Sequence, residues 1–309
     1  MPFFSIVIPV FNKEKFIANT IKSVLQQRFV DYELIIVNDG STDQSESKIL
    51  SFDDKRIKYF SKNNEGASIA RNFGIEQAKS NFITFLDADD YWYPDFLEEM
   101  YASIHEFPEQ SVFSGAIEIE NRKNIIPAVY SIPKQKPRMV VNYFEGSDME
   151  SVLCTSCAVF HKNVFEKVGQ FDPVLRSGQD TDLWIRIGLH FPIVFSFKIL
   201  ARYVYDKQSL SRDKSYSGQK LDFSKFVEEE KHNEKLKKFL DLNRYSFALK
   251  CRLDNDYENY SRFKKDINPQ SLSLRKKILL ETPAFLLRIL LKVNLILVQV
   301  GITKTVFKE

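Results

Sequence analysis

Three carboxylates close an apolar run in the stretch Phe82-Ile83-Thr84-Phe85-Leu86-Asp87-Ala88-Asp89-Asp90. The run is rich in β-formers and reads as an interior strand. Its acids then stand at the carboxyl end, where open α/β sheets hold their ligands. Acids this close repel one another unless a cation sits among them, and a hard divalent metal suits oxygen ligands. Held by one or two carboxylates, such a metal completes its shell with water and substrate phosphates. A plainer reading makes the same acids a cap for a helix that begins near Pro94. Other constellations are weaker. Cys154 and Cys157 form a lone C-x-x-C beside Ala158, Val159 and Phe160, which look like strand core, so buried structural thiols are expected. The four histidines lack metal-ligand spacing, and no nucleophile–His–acid set stands out.

The elements that must position these acids alternate through the first hundred residues. Strands are expected over Phe4 to Val10, Tyr32 to Val37, Ile57 to Phe60 and Phe82 to Leu86, and helices over Lys13 to Gln27 and Gly66 to Ala78. Asn38-Asp39-Gly40-Ser41-Thr42-Asp43 supplies turn and cap residues before a short helix. This order predicts an α/β fold with a doubly wound, mostly parallel, Rossmann-like sheet and right-handed crossovers. Less regular strands follow (Val112 to Ile119, Ala158 to His161, Ile193 to Phe197), with a helix starting near Asp180. The polar stretch after Asp213 marks a boundary, so residues 1–212 are expected as one domain and 213–309 as a helical extension. Lys220 to Asn243 reads as a solvated helix.

Four blocks in order resemble family 2 glycosyltransferases: Ser5-Ile6-Val7-Ile8-Pro9-Val10-Phe11-Asn12, Val37-Asn38-Asp39-Gly40-Ser41-Thr42-Asp43, Asn64-Glu65-Gly66-Ala67-Ser68-Ile69-Ala70-Arg71-Asn72-Phe73-Gly74, and Phe85-Leu86-Asp87-Ala88-Asp89-Asp90. The resemblance runs over about two thirds of the chain, from Phe3 to Asp213. It implies a GT-A fold, an inverting transfer, and a nucleotide-diphosphate sugar donor, best a UDP-sugar, with Mn²⁺ or Mg²⁺. It divides the first domain into a nucleotide-sugar half, residues 1–110, and an acceptor half, residues 111–212. By motif, Pro9, Val10 and Asn12 border the nucleotide, Asp39 accepts from a pyrimidine ring N–H, and Arg71 meets the base or phosphates. Asp87 and Asp89 match the family's D-x-D, with Asp89 on the metal, Asp87 nearer the ribose and Asp90 orienting or capping.

Val168-Gly169-Gln170-Phe171-Asp172 followed by Gln179-Asp180-Thr181-Asp182-Leu183-Trp184-Ile185-Arg186 resembles the family's E-D-x-D-L-W-x-R signature. Asp180 matches the general base, and a helix N-terminus is expected to lower its proton affinity. Asp180 and Asp182 also read as simple helix caps. Gln179 departs from the family's Glu, and Trp184 fits an acceptor pocket and a core equally well.

A dinucleotide-binding sheet would place G-x-G-x-x-G after the first strand, where Pro9-Val10-Phe11-Asn12 stands instead. A net charge of +3 is too weak to argue for nucleic acid. The excess is concentrated from Ser271 onward, where seven Lys or Arg face two acids. Pro283 to Val300 is strongly apolar, with Thr282-Pro283 as a start and Gly301 as a stop. Arg288, Lys292 and Asn294 are costly inside a bilayer, so an interfacial helix at an anionic membrane is expected, or else a helix packed on protein. No secretory signal is visible, and three cysteines make no disulfide framework. The expectation is therefore a cytoplasmic, membrane-peripheral transferase that moves one sugar to a glycan or lipid-linked saccharide in cell-surface polysaccharide synthesis. A sugar-nucleotide-binding protein without turnover is the alternative.

Overall fold

The computed structural model describes residues 1–120, 124–204 and 222–299, without the side chains of 294–299. The chain divides into two compact units, Met1–Asp222 and Phe223–Glu309. The boundary expected after residue 212 lies outside the described residues.

The first unit opens as β1 (Phe4–Val10), α1 (Ile17–Leu25), β2 (Tyr32–Asp39), α2 (Ser45–Leu50), β3 (Ile57–Lys62), α3 (Ala67–Gln77) and β4 (Phe82–Phe85). It continues as β5 (Tyr91–Trp92), α4 (Phe96–Glu106), β6 (Val112–Glu120), β7 (Ile125–Pro127), β8 (Arg138–Val141), α5 (Tyr143–Gly146), β9 (Ala158–His161), α6 (Asn163–Val168), α7 (Gln179–His190) and β10 (Ile193–Val204). The main sheet order is β3-β2-β1-β4-β9-β6-β10-β5, with β7 added on β6 and β8 on β10. β3, β2, β1 and β4 are mutually parallel. β9 runs antiparallel between β4 and β6, and β6 pairs in parallel with β10. The sheet is thus mostly parallel. β10 is far longer than Ile193 to Phe197, because its far half pairs with β6 and β5 past two register shifts.

Both faces of the sheet are covered, which is why β1 and β2 are mostly apolar, with buried Ser5 and Glu33 hydrogen-bonded to each other. Phe4, Ile6, Ile8 and Val10 face the cluster that holds Ile17, Ile21 and Val24 of α1 and Phe96, Leu97 and Met100 of α4. Val7 points the other way, onto α3. A Cβ on Gly74 would stand 2.2 Å from a Val7 methyl carbon, so α3 sits on the strand at a distance only glycine permits. The strand order turns back on itself between β1 and β4, and their carboxyl ends frame the crevice where such sheets bind ligands.

The second unit is helical: α8 (Val227–His232), α9 (Glu234–Leu253), α10 (Tyr257–Lys265), α11 (Leu274–Glu281) and α12 (Ala284–Gln299). The solvated helix expected over Lys220 to Asn243 is broken at Asn233, whose side chain accepts from Leu236 N and starts a new helix. That helix is no solvated rod. It buries Leu236, Phe239, Leu240 and an Asp241–Arg244–Glu230 network. A small core forms from Tyr245, Ala248, Leu249, Tyr260, Ile267, Leu272, Leu280 and Leu287. Thr282 does not cap α12 as expected. Its hydroxyl turns back to Ile278 O, while Pro283 O takes the first helical bond, from Leu287 N. Gly301 lies outside the described residues. No helix among the described residues is long and apolar enough to cross a membrane.

Candidate active site

The acid turn after β4 is held from three sides. Thr20 of α1 donates to Ala88 O and Asp90 O at 3.0 and 2.9 Å. Ser156, just before β9, accepts from Asp87 N at 3.1 Å and donates to Asp90 Oδ2 at 2.5 Å. At the end of β10, Val204 N donates to Asp90 Oδ1 at 2.9 Å. Asp90 is buried, and burial, then the charges of Asp87 and Asp89, push its proton affinity well up. It anchors the turn and is spent on the protein.

Asp87 and Asp89 face the crevice, each beside a cation from another element. Asp89 Oδ2 lies 2.5 Å from Lys13 Nζ, with side-chain exposures of 15 % and 20 %. Desolvation raises the proton affinity of Asp89, and Lys13 opposes that rise. Asp87 Oδ1 lies 2.6 Å from Arg71 Nη2. The guanidinium, buried over the ring of Phe171, extends to Asp180, with Nη1 3.5 Å from Oδ1. Arg71 Nη1 and Asp180 Oδ1 have no hydrogen-bond partner, so the two stand close without closing a bond. Arg71 therefore does not sit with Asp39, where a base contact would put it. It bridges the acid turn to the start of α7.

Oxygen donors of this kind would suit Mn²⁺ or Mg²⁺, and Asp89 is paired with one cation, Lys13. Among the described residues no cluster of three or more ligating side chains exists. A metal held here would take one or two carboxylates from the protein and the rest of its shell from water and diphosphate oxygens.

The other nucleotide-side residues are largely engaged by the protein itself. Val10 is 1 % exposed and points into the core, so its side chain borders no ligand. Pro9 stays within β1, paired with Val37. Asn12, at φ +51°, clamps two loops: its Oδ1 accepts from Thr42 N at 2.8 Å and its N–H donates to Ser41 Oγ at 3.1 Å. Lys13 N to Ser45 Oγ and Glu14 N to Asp43 Oδ2 extend the clamp. Asp39 is buried and holds the loop before α3, accepting from Lys62 Nζ, Glu65 N and Gly66 N at 2.8, 3.1 and 2.8 Å. A carboxylate has about four acceptor sites, so little capacity is left for a ring N–H. Beside it opens a cavity of about 760 Å³ lined by Gly40, Ser61, Lys62, Asn63 and Glu65.

At the start of α7, Gly178 adopts φ +81° and Gln179 is buried. Asp180 is not held below the usual carboxylate range as a helix terminus would suggest. Desolvation raises its proton affinity, Arg71 lowers it, and the negative charge of Asp87 adds to the rise. A helix terminus is worth only about 0.3–1 kcal/mol at an ordinary exposed site. A raised value suits a base that must take a proton near neutral pH. Asp182 is fully buried and pairs with Arg186 at 2.8 Å, and Arg186 also donates to Val168 O and Gln170 O. The D-L-W-x-R part of the signature is thus a brace that ties α7 to the turn before it. Trp184 is core, stacked on Phe160 with ring centres 5.3 Å apart, which removes the acceptor-pocket reading. The C-x-x-C thiols are free, and burial pushes Cys157 up to about 12.

Sequence reasoning missed Lys13, Thr20 and Ser156. A lysine in Asn12-Lys13-Glu14 and a serine between two cysteines carry no local signal, since their partners lie 76 and 66 positions away.

A glycosyltransferase of Rickettsia conorii is 36% identical over 191 residues, covering 59% of this chain and 30% of that protein. The Escherichia coli UDP-Glc:alpha-D-GlcNAc-diphosphoundecaprenol beta-1,3-glucosyltransferase WfgD is 38% identical over 123 residues, 40% of this chain and 48% of that one. Both matches span less than half of the relative's length. Staphylococcus aureus TarS, solved with UDP-GlcNAc, superposes with a TM-score of 0.64 at 19% identity, over 87% of this chain and 82% of that one, and shares the GT-A fold. Residues 5–169, more than half of the chain, match the model for glycosyl transferase family 2, and the chain belongs to that family.

Proposed function

We propose that this glycosyltransferase moves one sugar from a UDP-sugar to a hydroxyl of a lipid-linked saccharide, with inversion at the anomeric carbon and with Mn²⁺ or Mg²⁺ at Asp89. The observation that carries the reading is the bridge Asp87–Arg71–Asp180, which sets a partly exposed carboxylate opposite the acid turn at the mouth of the crevice. Asp180 takes the proton of the acceptor hydroxyl as its oxygen bonds to the anomeric carbon. The bond from that carbon to the diphosphate breaks, and UDP leaves with the electron pair. A metal held at Asp89 would supply charge for the departing diphosphate. Lys62, paired with Asp39, lines the cavity beside β2, whose size suits a nucleoside. The UDP-GlcNAc held by TarS and the lipid diphosphate acceptor named for WfgD support the donor and acceptor classes.

A peripheral membrane site belongs to the same reading. In α12, Phe285, Leu286, Ile289, Leu290 and Val293 are exposed along one face, with Leu287 buried on the opposite side. Exposed Leu274 and Ile278 of α11 flank the basic run Arg275-Lys276-Lys277. An apolar face rimmed by cations fits anionic lipid.

UDP release from UDP-sugars with Mn²⁺ and a polyprenyl-diphosphate sugar acceptor tests the function. Acceptor-dependent release is expected. Tight UDP-sugar binding with no release, across several donors and acceptors, would make the chain a binder without turnover.

A further inference from the structure

Lys13 stands where the donor site calls for its metal. Its backbone cannot drift, because Lys13 N is held by Ser45 Oγ at 2.8 Å and its neighbours are clamped by Ser41, Thr42 and Asp43. Any change of partner falls to the side chain. That side chain is one fifth exposed, and its ammonium lies 2.5 Å from Asp89 Oδ2. Among the described residues Asp87, Asp89 and Asp180 are paired with two cations, Arg71 and Lys13, and Arg71 is committed to Asp87 and Asp180. Lys13 is therefore the cation that neutralises Asp89. A divalent ion needs the same carboxylate oxygens, and two cations cannot share one carboxylate edge without strong mutual repulsion.

We infer that Lys13 is an exchangeable counter-ion: it occupies Asp89 until a divalent metal displaces it, and its freed ammonium then binds the diphosphate of the donor. The inference rests on the donor-site reading given above. A lysine ammonium is a compact point charge on a flexible stem, suited to trade a carboxylate for a phosphate. The exchange keeps the crevice near neutral when metal and diphosphate arrive together. It also makes Lys13 weaken metal binding alone and strengthen nucleotide binding, opposite effects that a merely structural lysine would not have.

The test uses the full chain and two probes, Mn²⁺ alone followed by its electron paramagnetic resonance, and UDP alone followed by calorimetry. Lys13→Met should bind Mn²⁺ about tenfold more tightly and metal-free UDP about tenfold more weakly, tenfold being about 1.4 kcal/mol. Lys13→Arg, which keeps the charge, should stay near wild type in both. Mn²⁺ affinity that is unchanged or weaker in folded Lys13→Met overturns the counter-ion role, and unchanged UDP affinity overturns the phosphate role. If Lys13→Met fails to fold, acetylation of the wild-type protein read at Lys13 by mass spectrometry decides. Labelling should rise with Mn²⁺ and fall again when UDP joins it, and a rate indifferent to Mn²⁺ overturns the inference. Wild-type protein that binds neither UDP-sugar nor UDP with Mn²⁺ would instead overturn the donor-site reading itself.

Discussion

Each carboxylate of the crevice has a different fate, decided by its partners. Asp90 is locked by Ser156 and Val204 N, and its raised proton affinity means that folding favours its neutral form. Stability from such a group is fully present below its unfolded value and is lost as pH rises through the folded one. At neutral pH, Asp90→Asn should therefore cost little. Asp90→Ala should lose about 1–3 kcal/mol by leaving Val204 N and Ser156 unpaired. Urea unfolding of both variants separates the two outcomes. As the proposed base Asp180 would need to be ionised, so turnover should fall as pH drops through a value raised above the usual carboxylate range. Arg71→Met removes the cation that holds this value down, and the acid limb of the kcat profile should move to higher pH. An unmoved limb in folded, active protein would detach Arg71 from the base. Asp180→Asn should keep UDP binding and lower turnover by about 10²–10⁴-fold, the usual worth of acid–base help. Turnover near wild type would remove Asp180 from the base role. Asp182 would not replace it, since it is bound to Arg186.

Elements place these side chains only because their packing distances are fixed. α3 carries Arg71, and Gly74 on the same helix lies against Val7 of β1. Glycine within a helix costs about 0.5–1 kcal/mol relative to alanine, so the close approach has been kept against propensity. Gly74→Ala should destabilise the first unit by about 1–3 kcal/mol despite the better helix former. Adding Val7→Ala should return part of that loss, because the clash is with the Val7 methyls. Denaturant midpoints of the two single variants and the double variant measure the coupling. A Gly74→Ala protein as stable as wild type would mean that α3 can lift off the sheet. The β1–α1 and β2–α2 loops illustrate the same dependence. Asn12 spends its side chain on joining them, so the loop that carries Lys13 is set by a neighbour 30 positions on.

For the whole molecule, the charge excess from Ser271 onward and the apolar face of α12 belong to the helical unit. Arg288 does not rim that face freely. It donates to Leu253 O and Asn255 Oδ1 in its own unit, at 2.6 and 3.0 Å. Arg275, Lys276 and Lys277 are then the cations expected to meet lipid, each worth ~1 kcal/mol near an anionic surface. The full chain should pellet with vesicles rich in anionic lipid, less so at high salt, and weakly with neutral vesicles. Reversing all three charges to Glu should leave it in the supernatant. Full-length protein that stays soluble with anionic vesicles would assign the apolar face to a protein partner instead.

The alternation of strands and helices, and the acids at strand ends, were legible in the residues. Strands covered on both faces are mostly apolar, and the carboxylates that are not paired within the sheet, as Glu33 is with Ser5 and Lys58, stand at or after their ends. Residue types at Asp87, Asp89 and Asp180 carried the family resemblance for the same local reason. Pairing was not legible. Lys13 meets Asp89 across 76 positions, and Arg71 meets Asp87 and Asp180 from a third element. The direction of the Asp180 shift was misjudged because a helix terminus is a local feature, whereas desolvation depends on what packs around the group. Trp184 was undecided for a related reason: an aromatic beside a signature looks the same in a pocket and in a core until Phe160 stacks on it. Periodicity and chemical type are properties of short stretches, so most elements and the acids at their ends can be read from the residues. Which charge neutralises which depends on distances that exist only once the sheet has brought its strand ends together, and those belong to the folded chain.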